Sequence, residues 1–412
     1  MNWGNQMDTK EEALKLHKKL KGKLSIKSKQ KIKNKRDLSL LYTPGVAEAC
    51  QQIYKDEESI YDYTIKNNSV AIVSDGSAVL GLGDIGPKAA LPVMEGKAVL
   101  FKEFADVDAF PLCITRRNVD EFVQNIVNLS HSFGGINLED IKAPYCFEIE
   151  EKLKAKTDIP IFHDDQHGTA IVVLAGLFNA LKLADKKIEE IKIIITGAGA
   201  AGFAVTKLLK TAGAKNIKVL DSKGVVYKGR KSNNEYNEKL AEMTESKKEG
   251  RLEEAIKGSD VFIGVSTAGI LKSYMVKTMN EKPIIFALAN PEPEINPKEA
   301  YQAGAFIVAT GRSDYPNQIN NVLAFPGVFR GVLDARASEI NEKMKLKAAE
   351  KIAEIVKDNL NKENIIPEVF NKEVAYVTAL AVAEEAVKTG VAHQDLTLEI
   401  ITEKVKNNLS KK

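Results

Sequence analysis

The chain has 412 residues, 44% hydrophobic and 28% charged, which is material for two cores and too little bias for a disordered or fibrous protein. Its 59 basic and 56 acidic residues leave a net charge of +3, which excludes nucleic acid as the main partner. Cys50, Cys113 and Cys146 lack the spacing of a disulfide framework or a zinc knot, so each is read as a small buried hydrophobe.

Residues 1–37 read as a charged helical lead-in. Twelve Lys or Arg lie between Lys10 and Arg36 against only Glu11 and Glu12, with no aromatic residue among them. Such a run is expected to be a solvated face or a subunit contact. No signal-type apolar segment opens the chain, and the apolar stretch Ala170–Phe178 is far short of the roughly 20 residues of a membrane span. A cytoplasmic protein without membrane contact is therefore expected. Pro44-Gly45 marks a turn. Val70–Val73 reads as a buried strand ending in the polar turn Ser74-Asp75-Gly76, and Ala109–Ile114 as a second strand. Helical patterning covers Lys88–Phe104 and Val119–Ser130.

Thr169–Ala184 reads as an apolar helix, followed by a charged linker at 185–190. Strand candidates then recur at Ile191–Ile195, Ile217–Leu220, Asp260–Ile263, Pro283–Phe286 and Ala305–Val308, with helical or turn segments between them. This alternation predicts a parallel, doubly wound sheet. The expected fold is α/β: an N-terminal substrate domain (1–165), a Rossmann-like dinucleotide-binding domain (166–385) and a C-terminal helical tail (386–412).

The loop Gly197-Ala-Gly-Ala-Ala-Gly202 joins a predicted strand to a predicted helix, where Gly197, Gly199, Ala200, Ala201 and Gly202 would let a pyrophosphate approach the backbone. Asp221 closes the next strand, in place to bond a ribose 2′-hydroxyl, which favours NAD; Lys223, Lys228 and Arg230 leave NADP open. A second match, Gly81-Leu-Gly-Asp-Ile-Gly86, lacks that context and reads as a turn lining a substrate cleft. Glu139-Asp140 and Asp164-Asp165 are adjacent carboxylates that suit Mg²⁺ or Mn²⁺, although Glu139-Asp140 alone would also serve as a solvated helix start. His163 and His167 offer a competing zinc reading without the usual Glu or a third ligand. Tyr42 and Lys97 are proton-transfer candidates, though a lone Lys is ordinarily a surface residue and a lone Tyr is ordinarily packed with a wet hydroxyl.

Leu41-Tyr-Thr-Pro-Gly-Val46, Asp75-Gly-Ser-Ala-Val-Leu-Gly-Leu-Gly-Asp-Ile-Gly86, Met94-Glu-Gly-Lys97, Gly134-Gly-Ile-Asn-Leu-Glu-Asp140, Phe162-His-Asp-Asp-Gln-His-Gly-Thr169 and Asn320-Asn-Val-Leu-Ala-Phe-Pro-Gly327 occur in this order. Together they closely resemble the malic enzymes, in particular the short bacterial and archaeal type. The resemblance implies oxidative decarboxylation of (S)-malate to pyruvate and CO₂ with NAD or NADP and Mg²⁺ or Mn²⁺. It also implies roles: Lys97 as general base with a depressed pKa, Tyr42 as the acid that protonates C3, and Asp164 as support for Lys97 or the metal. Glu139, Asp140 and Asp165 would hold the metal, Asn290 would contact nicotinamide or substrate, and Asn320 and Asn321 substrate. A homodimer that shares Tyr42 between subunits is a further implication. Where longer relatives carry an Arg for the malate carboxylate, this chain has Ala78. The rival readings are a metal-independent NAD-linked dehydrogenase of a related small acid and a non-catalytic NAD sensor.

Overall fold

The structure, a computed structural model, describes residues 4–79, 81–244, 246 and 249–409. Two sheets organise it. The first has four parallel strands in the order β2-β1-β3-β4: β1 (Ser69–Ser74), β2 (Asp108–Cys113), β3 (Gly135–Leu138) and β4 (Ile161–His163). The second has the order β10-β9-β8-β5-β6-β7, from β5 (Lys192–Thr196), β6 (Asn216–Asp221), β7 (Gly224–Val225), β8 (Val261–Gly264), β9 (Ile284–Ala287) and β10 (Ile307–Thr310). Only the short β7 runs antiparallel. The unbroken apolar runs of β1, β8, β9 and β10 are what a parallel sheet covered on both faces requires, and every residue of these strands is buried.

Helices cover the sheets for reasons visible in their spacing. The Gly86–Ala105 helix buries Ala90, Met94, Lys97, Ala98, Phe101 and Ala105, one face at helical period. Lys97 thus sits on the core stripe, not on the wet side. The Asp164–Ala184 helix is apolar nearly all round and is buried in one core that also takes in residues of both sheets. Its length and composition would suit a membrane span, but most of its apolar stretch is buried inside the protein. It begins five residues before the expected Thr169, so Asp164 and Asp165 occupy its first turn.

Two expectations need correction. The lead-in is not one helix: a helix covers Gly4–Leu20, a non-helical segment follows, and a second helix covers Lys35–Leu41. Gly22, at φ 111°, lies just beyond the first helix, and the Lys- and Ser-rich stretch after it has no apolar stripe to bury. Of the cysteines, only Cys146 is buried; Cys113 is half-buried and Cys50 exposed, because the Val46–Lys55 helix that carries it buries none of its residues.

Candidate active site

Lys97 reaches the carboxylates of Asp164 and Glu139, the latter at 3.0 Å, and its ammonium lies 3.8 Å from the centre of the Phe325 ring. Each partner is delivered by a different element. Glu139 follows β3, two residues after Asn137, so the two side chains share one side of the strand and Asn137 Nδ2 donates to Glu139 at 2.8 Å. Asp164 opens its helix, and its side chain folds back over Gly168, where an added Cβ would meet Asp164 Oδ1 at 1.9 Å. Asn321 Nδ2 donates to Asp164 Oδ2 at 3.0 Å, and Thr169 Oγ1 donates to Asn321 Oδ1 at 3.2 Å. Asp165 Oδ2 accepts the Asp140 backbone N–H at 2.9 Å.

One carboxylate oxygen each from Glu139, Asp140 and Asp165 lies within 4.8 Å of the others. Burial first, then neighbouring carboxylates, pushes all three acids above their usual range, with Lys97 opposing the shift at Glu139. Asn137 Oδ1 and Asp164 Oδ1 are buried without a partner. Three repelling hard-oxygen donors beside orphaned acceptors fit a divalent cation of the Mg²⁺ or Mn²⁺ type. The zinc alternative gains no third ligand: among the described residues the His, Cys, Asp or Glu group placed to share an ion is Glu139, Asp140 and Asp165. His167 is engaged elsewhere, its Nε2 bonding Glu150 at 2.7 Å and its Nδ1 approached by Lys345 at 3.1 Å.

The expected depression of Lys97 is reversed in the structure. Burial lowers its pKa, but Asp164 and Glu139 together more than offset that, so the ammonium is held above its ordinary range. A cation on Glu139 would take up that carboxylate's charge and leave Asp164 as the main partner.

The nucleotide loop has the three roles its spacing implies. Gly197 turns at φ 109° with Val265 O only 2.5 Å from where a Cβ would sit, and a Cβ on Gly202 would strike Gly197 O at 1.7 Å. Gly199 meets nothing and faces a cleft of about 920 Å³, which Asp221 and Ser266 also line. Ala200 and Ala201 begin the Ala200–Thr211 helix, whose N-terminal amides favour an anion. Asp221 is not a free ribose acceptor. Arg230 grips it with both terminal nitrogens, one at 2.9 Å, and Lys223 N donates to it at 2.8 Å. Arg230 first, among its charged partners, holds the carboxyl below its usual range against the effect of burial.

Tyr42 stands apart. Its side chain is 67% exposed, and no contact joins it to Lys97 among the described residues. Asn320 caps the short Asn321–Leu323 turn by accepting from Val322 N at 3.0 Å. Asn290 is exposed and precedes Pro291, which packs near Gly81 of the second glycine loop. That loop closes by paired bonds between Val79 and Gly83, and Ala78 N donates to Asp140 O at 2.9 Å, tying it to the acid cluster. Three residues escaped the sequence reading: Asn137, Gly168 and Phe325. The alternation Asn137-x-Glu139 was the available signal for the first and the i, i+4 spacing to Asp164 for the second; Phe325 acts through its contact with Lys97, from a distant part of the chain.

His167 also ties elements together, sitting between Glu150 and Lys345, with Lys345 bonded to Glu342 at 2.6 Å and Glu342 to Lys207 at 3.0 Å. Burial lowers His167 from 6.5 to about 4. An unfolded chain therefore binds more protons between those values, and stability should rise with pH from 4 to 6.5, by an amount on the order of 3 kcal/mol. Thermal unfolding of His167→Gln should show a flatter pH dependence over that window; an unchanged slope assigns it to other groups.

Such a constellation defines a nucleotide-dependent enzyme with an acid-rich catalytic cleft. A family profile for the malic enzyme NAD binding domain matches residues 166–387, and one for the malic enzyme N-terminal domain matches 21–118 and 115–154. The chain is 56% identical over 403 residues to the bifunctional malic/malolactic enzyme of Bacillus subtilis (strain 168), covering 97% of this chain and 98% of that one. It is 56% identical to the NAD-dependent malic enzyme of Geobacillus stearothermophilus, over 91% of this chain and 78% of the relative. The crystal structure of malic enzyme from Pyrococcus horikoshii Ot3 superposes with a TM-score of 0.91 at 48% identity, covering 94% and 92% of the two chains. NADP-dependent malic enzymes also occur among the relatives. The chain belongs to the malic enzyme family.

Proposed function

We propose that this protein converts (S)-malate to pyruvate and CO₂ with reduction of NAD(P). The observation that carries the reading is Lys97 bound among Asp164 and Glu139, in a chain whose glycine-loop cleft is also lined by Ala143 and Pro144, which follow the acid Asp140. Residues 1–165 then serve the substrate, 166–385 the nucleotide and 386–412 form a tail. Asp164 and Glu139 favour the Lys97 ammonium, so the base form requires loss of that proton, which a cation on Glu139 would ease by taking up one of the two counter-charges. Lys97 so deprotonated takes the C2 hydroxyl proton as hydride leaves C2 for the nicotinamide, giving oxaloacetate. Asp164, fixed by Asn321, holds the Lys97 ammonium that results. The C3–C4 bond then breaks, CO₂ leaves, and its electron pair remains on the enolate. Glu139, Asp140 and Asp165 would hold Mg²⁺ or Mn²⁺, which when bound supplies Lewis-acid polarisation at the C2 oxygen. Asn290, and Asn320 through the Nδ2 that its cap of Val322 does not use, would orient substrate and nicotinamide.

Protonation of C3 falls to Tyr42, and we assign it to the active site of a second copy. The Lys35–Leu41 and Val46–Lys55 helices on either side of Tyr42 bury no residue, yet expose Leu38, Leu40, Leu41, Val46 and Tyr54 by 39% to 91%. An apolar face of that kind is a subunit contact in a homodimer. Tyr42→Phe should leave malate-dependent hydride transfer largely intact and slow pyruvate formation from oxaloacetate by roughly 10². Unchanged decarboxylation assigns the proton to another group.

NAD is favoured because Asp221 would repel a 2′-phosphate. Its pairing with Arg230 makes the preference a balance, since the same guanidinium can meet a phosphate once the carboxylate is gone. Asp221→Ala should raise the NADP to NAD ratio of kcat/KM by at least about tenfold, the worth of one charge-assisted contact. A constant ratio places the choice elsewhere.

The direct test is NADH or NADPH formation from (S)-malate and Mn²⁺, with and without EDTA, with pyruvate and oxaloacetate assayed as products. Metal-dependent pyruvate supports the assignment; oxaloacetate alone indicates a simple dehydrogenase, and no turnover indicates a nucleotide sensor.

A further inference from the structure

The first sheet has a second cleft, at the end opposite the acid cluster. Where β1 and β2 begin, a space of about 1080 Å³ opens between the 24–29 segment, the Gly86–Ala105 helix, the end of the Phe325–Asp334 helix and the Leu398–Leu409 helix. Its walls carry six cations, Lys27, Lys29, Lys102, Arg330, Arg336 and Lys404, against four acids, Asp62, Asp106, Asp108 and Asp334. Lys102 pairs with Asp106 at 2.6 Å and Asp108 at 2.9 Å, Arg330 with Asp334 at 2.6 Å, and Arg336 with Asp62 at 2.5 Å. These pairs use all four acids. Lys27, Lys29 and Lys404 keep no carboxylate within ion-pairing distance among the described residues. Lys404 is half-buried, and burial first, then Arg336, holds its ammonium below the usual range, against the pull of Asp334 and Asp62, which are themselves paired with Arg330 and Arg336. A cation kept partly out of water without a direct ion-pair partner is relieved by an anion.

We propose that this cleft binds a small phosphate-bearing anion and that its occupancy is felt at Lys97. The arginines, whose forked geometry suits carboxylates, are already engaged with aspartates. The unpaired groups are lysines, point charges that suit a tetrahedral oxyanion. Two helices connect the sites. Ala98 lines the cleft while its neighbour Lys97 reaches Asp164. At one end of the Phe325–Asp334 helix, Phe325 lies against Lys97; at the other, Arg330 and Asp334 line the cleft. Phe101 packs against Phe325 at 4.7 Å and Phe329 at 5.3 Å, so the two helices meet through close-packed rings and shift as a unit.

Inorganic phosphate titrated calorimetrically into the whole protein, saturated with NAD so that the pyrophosphate site is filled, tests the proposal. Malate KM is measured alongside at constant ionic strength. Saturable binding is expected, weakened about tenfold by Lys404→Ala and retained in Lys404→Arg, the change that loss of one charged contact produces. Phosphate should shift malate KM in the wild type and not in Lys404→Ala, whose activity without phosphate stays normal. No saturable binding, or binding equally strong in Lys404→Ala, overturns the site; binding that leaves malate KM unmoved overturns its link to Lys97.

Discussion

Lys97→Ala should reduce malate oxidation by roughly 10³-fold, the range in which a positioned general base acts. Reduction of oxaloacetate should fall in parallel, because the same group returns the proton in reverse. NAD affinity should be unchanged, since the nucleotide cleft is lined by other elements. The variant also leaves Asp164 and Glu139 without their buried counter-charge, and losing one partner of such a pair costs about 3–5 kcal/mol. Metal-free Lys97→Ala should therefore melt well below wild type, and Mn²⁺ should return more of the loss than it adds to wild type. Lys97→Met, which keeps most of the stem against Phe325, separates packing from chemistry. Near-normal turnover in either variant removes Lys97 as the base.

That lysine also shows how much could be read in advance. Its place on the buried stripe with Met94, Ala98 and Phe101 follows from helical spacing alone, and so do most strands of the second sheet, whose apolar runs are framed by turns. β3 and β4 were missed as strands because they are four and three residues long and merge with the acidic motifs that follow them. The acid cluster was legible as adjacent carboxylates, but its convergence was not: Glu139 and Asp165 come from different strand ends and meet only through the β3–β4 pairing. Side-chain partnerships across long separations left no local trace either. Asp221 reads as a ribose acceptor until Arg230 is found folded onto it, and Lys97 reads as a depressed base until two carboxylates surround it. Tyr42 is a different case, since among the described residues no side-chain partner gives this exposed residue a task.

Asp165→Asn should separate function from stability in opposite directions. Its Oδ1 can still accept the Asp140 N–H, so the loop between β3 and the next helix should keep its course. One charge leaves a cluster in which burial and neighbouring carboxylates already raise Asp140 and Asp165. Without metal, relief of that repulsion should raise the melting temperature above wild type. Wild type, by contrast, should gain about 2.7 kcal/mol at a hundredfold excess of Mn²⁺ over its dissociation constant, and the variant much less. Mn²⁺ affinity should fall by at least about 10–100-fold and malate turnover with it, recovering only in part at high Mn²⁺. In wild type, affinity should rise with pH, because carboxyls held above their usual range must lose protons before they can ligate. Calorimetric titration of Mn²⁺ and thermal unfolding of both proteins, with and without EDTA, measure these terms together. A variant that binds Mn²⁺ like wild type removes Asp165 from the ligand set, and one that melts lower without metal shows that its hydrogen bond to Asp140 outweighs the repulsion.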